Sequence, residues 1–284
     1  MKKILMATDL SARCDRALQR ALALADQFGA ELHIMHVVEE YFSDLVTAEH
    51  ETAARNAIEQ QVSALPQRGT LKVTPHITRG MDAENIIRHA EEHGADLVIL
   101  GLHRYKTRQM FQGTTAERVV RYGRVPILVV KNSVAGPYQR ALVAADLSSH
   151  ARAAARMAAR LVVPTGVVQL FHVAHRPFVG FLSRDTQDRR ILEQQSEVRA
   201  ILEGDIERLS NELGEEAPKF EVLLREGEVK DTIRENLASL KPDLLAVGTH
   251  GRTGLAHAIV GSVAEDLLAN PTVDVLTIKD AVGR

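Results

Sequence analysis

Three glycines and a serine near the carboxyl end of the chain have the spacing of a phosphate cradle. Gly248 is followed by two residues and Gly251, then by nine residues and the pair Gly261-Ser262. Glycine tolerates positive φ and lets a backbone approach a ligand closely. Ser262 opens a helical pattern, with Val263, Leu267 and Leu268 on one side and Glu265 and Asp266 on the other. The free N–H groups of a first helical turn, with the dipole behind them, attract anions. Arg252 adds a positive charge inside the loop, and Ser262 adds a hydroxyl. The spacing matches neither the GxxxxGK[ST] of P-loop proteins nor the GxGxxG of dinucleotide-binding folds.

Such a cradle needs a strand leading into it. Asp243–Val247 is a short apolar run between Pro242 and Gly248, and it suits one. The same alternation runs from the start of the chain. Lys3–Asp9 reads as a strand ending in an acid. Ser11 reads as the cap of a helix reaching about Gly29, with Ala17, Ala21, Leu24 and Phe28 on one face. Glu31–Val38 is a second strand, Thr47–Leu65 a helix closed by Pro66, and Thr70–Thr78 a third strand. Asp82–His93 is a helix ended by Gly94, Asp96–Gly101 a fourth strand, Thr115 a helix start, and Pro126–Lys131 a fifth strand. Strands alternating with helices imply an α/β fold, its parallel sheet covered on both faces.

The series then restarts after a linker carrying Gly136 and Pro137. RALVAADLS at 140–148 repeats KILMATDLS at 3–11, and DLLAVGTHG at 243–251 repeats DLVILGLHR at 96–104. His172 falls opposite His36, and the LREGE of 224–228 answers the TRGM of 78–81. A repeat of this size is a whole domain rather than a solenoid unit. The expected domains are 1–133 and 138–284.

The pattern GxxGx₉G[ST] resembles the ATP-binding signature of the universal stress protein family, and the whole chain is similar to a tandem member with two family domains. The resemblance implies two Rossmann-like, adenine nucleotide α-hydrolase-like domains. Each would be a five-stranded parallel sheet of order 3-2-1-4-5 with helices on both faces. The two fifth strands would pair as an internal pseudo-dimer. Ligands of such sheets sit outside the carboxyl ends of the strands, where strand order reverses. On this resemblance Ala144, Ala145 and Asp146 line an adenosine pocket, and Val173 meets the adenine edge. Val247, Gly248, His250, Gly251, Gly261, Ser262 and Val263 contact ribose and phosphates, with Arg252 in the loop. ATP is the expected ligand, ADP or AMP the alternatives, with Mg2+ bridging the phosphate oxygens. Asp146 also reads as part of a helix cap, and His250 as a loop residue facing solvent.

The first-half equivalents, Asp9, Val37, Gly101, Arg104, Gly113 and Thr114, match less well. Arg104 replaces the second glycine, and eight residues separate it from Gly113 rather than nine. A side chain where φ > 0 is needed costs on the order of 1 kcal/mol. The first half therefore reads as degenerate and empty of ATP, with a smaller anion near Lys106 and Arg108 as the alternative.

Bulk properties exclude several classes. A formal charge of -2 and 4% aromatics offer no basic field and no stacking platform, so nucleic acid is not expected. No apolar run approaches membrane-spanning length, no secretory leader is legible, and the lone Cys14 suits a reducing cytoplasm. Cys14 reads as a half-exposed thiol, with a lowered pKa near a helix start as the alternative. His33 and His36 point to opposite faces of a strand, and no metal site from protein side chains is expected. Pro177–Leu182 is an apolar stretch suited to a partner, a lid or the core, and Asp188–Leu213 a charged helix with a solvated face. The implied function is a nucleotide-dependent sensor or regulator in the stress response, with no catalytic residue. The implied partners are an adenine nucleotide, an unidentified protein, and a second tandem chain in a homodimer. The alternatives are a slow ATPase or hydrolase using the same pocket, and a scaffold that holds no nucleotide.

Overall fold

Apolar runs without alternation make strands that are covered on both faces. KILMA (β1, Lys3–Ala7), LVILG (β4, Leu97–Gly101) and ILVV (β5, Ile127–Val130) are such runs, and all but Lys3 are buried. In the computed structural model, which describes residues 1–12, 14–38, 43–64, 71–102, 113–174, 184–249 and 260–279, they belong to one ten-stranded sheet. The first half adds β2 (Glu31–Val38) and β3 (Val73–Arg79). The second half supplies β6 (Tyr138–Ala144), β7 (Val162–Ala174), β8 (Lys219–Glu226), β9 (Leu244–Gly248) and β10 (Asp274–Ile278). The helices are α1 (Asp15–Phe28), α2 (Asp44–Ser63), α3 (Asp82–Glu92) and α4 (Thr115–Tyr122) in the first half. Those of the second are α5 (Ser149–Leu161), α6 (Arg184–Leu213), α7 (Val229–Leu240) and α8 (Ser262–Ala269).

The spatial order is β3-β2-β1-β4-β5-β10-β9-β6-β7-β8, so each half runs 3-2-1-4-5 from its own edge. Every pairing is parallel except the central one, β5 with β10, where Val129 faces Val275 and Leu128 faces Leu276. Two strands that would otherwise be exposed edges cover each other there. This is the expected internal pseudo-dimer. Both apolar clusters, one on each face of the sheet, draw residues from the two halves.

A buried polar knot fastens the join. Asp274, fully buried at the start of β10, accepts from the amides of Lys131 and Asn132 at 2.8 and 2.9 Å and from Tyr138 Oη at 2.6 Å. Arg20 of α1 lies 3.5 Å from the same carboxylate, stacks 3.9 Å over the Tyr138 ring, and donates to Gly136 O. The linker is thus held by the first helix of one half and the last strand of the other.

Local differences from the sequence reading have physical causes. Ser11 does not cap α1. Its hydroxyl donates to Asp9 Oδ1 at 2.6 Å, and Cys14 stands at the cap position with no side-chain capping bond. Cys14 is buried rather than half-exposed. α2 begins at Asp44 and α6 at Arg184, each earlier than expected: Leu45 in the first turn of α2 faces solvent rather than the core, and the first turn of α6 is polar in sequence. The 177–182 stretch lies outside the described residues. Among the described residues no helix is long and apolar enough to cross a membrane.

Candidate nucleotide site

The carboxyl ends of β6 and β9 lie side by side, Ala144 opposite Val247, with β7 on the far flank of β6. This is the second half's point of strand-order reversal. Ala144, Ala145, Asp146, Val173, Val247 and Gly248 therefore share one end of the sheet, as their order along the chain suggests. Gly261, Ser262 and Val263 reach it from the start of α8, because Gly261 N–H donates to Thr249 O at 2.7 Å and Thr249 N–H donates to Ile278 O at 2.9 Å. The ends of the glycine loop are thereby tied to β10. His250, Gly251 and Arg252 lie outside the described residues.

Several of these residues have structural duties. Asp146 Oδ1 accepts from Ser148 N–H at 3.0 Å, bracing the turn in which Leu147 takes φ 66°. Ser148 Oγ caps α5 by accepting from Ala151 N–H at 3.1 Å. The first half repeats the turn, with Leu10 at φ 60° and Asp9 Oδ1 accepting from Ser11 N–H at 2.9 Å. Gly248 has no room for a side chain. A Cβ there would sit 2.7 Å from His150 Cβ and 3.0 Å from its carbonyl carbon. The repeated histidines do the same job in each half. His36 Nδ1–H donates to Thr8 O at 2.9 Å and His172 Nδ1–H to Ala145 O at 2.6 Å, each tying the second strand to the turn after the first.

The halves part company at the helix that follows the fourth strand. In the first half Thr114 caps α4, accepting from Glu117 N–H at 3.1 Å. The buried Glu117 carboxylate reaches back to accept from Gly113 N–H and pairs with Arg121 at 2.8 Å. This resembles a capping box, with the carboxylate meeting the amide one residue before the cap. A protein carboxylate thus meets an amide at this helix start, and Asp82 accepts from Thr115 Oγ1 at 3.2 Å. In the second half the cap of α8 is Gly261, which offers no side-chain bond. Ser262 stands exposed at the first helical position.

The first half nonetheless holds a cavity of about 640 Å³, lined by Asp9, Val37, His50, Asp82, Gly101 and Thr115 among others. Three of the residues named from sequence, Asp9, Val37 and Gly101, thus come together around it. Gly113 and Thr114 stand at the adjoining helix start, and Arg104 lies outside the described residues. Sequence reasoning missed His50, Asp82 and Thr115. The TxxE spacing of Thr114 and Glu117 was the available sign that this corner is closed.

Comparison with known proteins agrees with the repeat. A model of the universal stress protein family matches residues 1–131 and again 137–279. The universal stress protein MJ0531 of Methanocaldococcus jannaschii is 28% identical over 144 residues, covering 46% of this chain and 82% of its own. MJ0577 from the same organism is 29% identical over 154 residues, covering 46% and 94%. Among solved structures, a universal stress protein from Archaeoglobus fulgidus is similar over 98% of both chains, with a TM-score of 0.68 at 20% identity. A functionally unknown protein, PA1789 of Pseudomonas aeruginosa, covers 98% of this chain and 92% of its own, with a TM-score of 0.66 at 18% identity. At such identities these two structures speak for the fold.

Proposed function

Because the chain belongs to the universal stress protein family, with one family domain in each half, we propose that it is a nucleotide-dependent regulator that takes ATP in its second half. The observation that carries this reading is the contrast between the two helix starts. α4 is capped by its own Glu117, whereas α8 has no side-chain cap. The first amides of a helix have no intrahelical acceptor, so those of Ser262, Val263 and Ala264 are available to a phosphate chain. The Ser262 hydroxyl and Arg252 would join them, and a magnesium ion would be held through the phosphate oxygens rather than by this chain. Ala145, Asp146 and Val173 would take the nucleoside end.

The same geometry favours binding over hydrolysis. Asp146, the acid nearest the crevice in sequence, is committed to the turn through Ser148, and the loop supplies no lysine of the kind a P-loop ATPase uses. The first-half cavity suits a neutral occupant, since Asp9 and Asp82, which line it, would repel a phosphate.

Native mass spectrometry of the whole chain titrated with magnesium ATP tests the proposal. One nucleotide per chain, lost in Gly261→Trp while circular dichroism stays unchanged, is the expected result. Two per chain would mean that the Glu117 corner yields to phosphate. No binding at any concentration would leave the scaffold reading. Phosphate release at saturating ATP, compared with the Gly261→Trp background, reads hydrolysis separately and is expected to be nil.

A further inference from the structure

Four histidines that are scattered in sequence converge on the α3 side of the first half's sheet, away from the nucleotide crevice. His33 lies on β2 with its side on the Leu5 and Met35 face, and His76 on β3 sits beside Met35 in register. α3 crosses this face with Ile86 and Ala90 in the core, and it brings His89 and His93, one turn apart, over the two strands. The His33 and His76 rings stack at 4.8 Å, His76 and His89 approach to 4.4 Å, and His89 stacks on His93 at 3.9 Å. One ring nitrogen from each of His33, His76 and His89 lies within 4.8 Å of the other two. Nε2 of His76 and of His89 is buried with no hydrogen-bond partner.

We propose that His33, His76 and His89 form a binding site for a borderline divalent transition-metal ion, zinc foremost, independent of the nucleotide site. Three imidazoles are a donor set that zinc, cobalt(II) and nickel(II) accept, whereas calcium and magnesium prefer oxygen. Zinc–nitrogen bonds are about 2.0–2.1 Å long, so small ring rotations would draw the nitrogens inward from their present spacing. His93, stacked on His89, is exposed and fixed by a bond between its Nδ1 and His89 O at 3.1 Å. Glu31 adds negative charge at the edge, 3.7 Å from His33 Nε2, against the positive charges of Lys3, Arg55 and Arg88 nearby. Burial lowers the pKa of all three histidines, that of His89 to about 4, so their lone pairs are free at neutral pH.

The test is zinc titration of the chelator-treated whole chain against a chromophoric competitor. One zinc per chain is expected, with affinity falling at least about tenfold in His76→Gln and in His89→Gln, no less than loss of a partner that merely orients a ligand. His172→Gln, whose ring is committed to Ala145 O, should leave affinity unchanged. Histidine-ring NMR of the unsubstituted chain reads the site without any variant, and zinc should move three or four imidazoles. No zinc retained by the wild type, affinity unmoved by both substitutions, or a response spread over all twelve histidines would overturn the site.

Discussion

At Gly248 the close approach of α5 leaves no space for a methyl group, whatever the crevice holds. Gly248→Ala is therefore expected to lower stability by about 1–3 kcal/mol through overpacking, measured by urea unfolding, and any loss of binding in that variant reports the fold rather than the ligand. Ser262 is the cleaner probe, being exposed at the helix start. Ser262→Ala should leave the unfolding midpoint in place and weaken ATP binding by roughly three- to tenfold, the worth of one hydrogen bond. Cys14 sits on the opposite half with a buried thiol, which burial pushes up to about 11. At about pH 8 on the order of one thiol in a thousand is ionised. Reaction with a chromogenic disulfide should therefore be slow in the folded protein and become rapid in denaturant; rapid reaction without denaturant would contradict the burial.

Among elements, the caps distinguish the halves. α5 opens on a serine whose hydroxyl accepts Ala151 N–H, while α1 opens on Cys14 with no side-chain capping bond. Ser148→Ala should cost about 1 kcal/mol, and Ser11→Ala much less, both read from thermal unfolding. The pairing of α4 with its own Glu117 ties that helix down at its start, and Lys279, just past β10, donates to Arg121 O near its end. The end of the strand that anchors Thr249 at the second half's loop thus also touches the first-half helix that Glu117 ties down.

For the whole molecule, the join is where the halves stop being separable. Asp274 holds two linker amides, Tyr138 and Arg20 at once. Removing it leaves a buried guanidinium with an incomplete set of partners. Asp274→Ala is expected to cost about 3–5 kcal/mol and to split one unfolding transition into two, visible as non-coincident fluorescence and circular dichroism curves. Nucleotide at about one hundred times its dissociation constant should add roughly 2.7 kcal/mol to the second half, and through this seam raise the midpoint of the whole chain.

The alternation of apolar runs with helical patterns and the restart at RALVAADLS were enough to name two α/β domains, because burial on both faces writes itself into a strand's composition. The glycine spacing likewise marked Gly261 and Ser262 as a helix start, where Gly261 approaches Thr249 O closely enough to crowd a side chain. Tertiary structure decided what depends on residues distant in the chain. It turned Glu117 back onto Gly113, buried Cys14, and tied Asp274 to Arg20 across the seam. It also brought His33, His76 and His89 together, because parallel register and a crossing helix set neighbours that no sequence spacing displays.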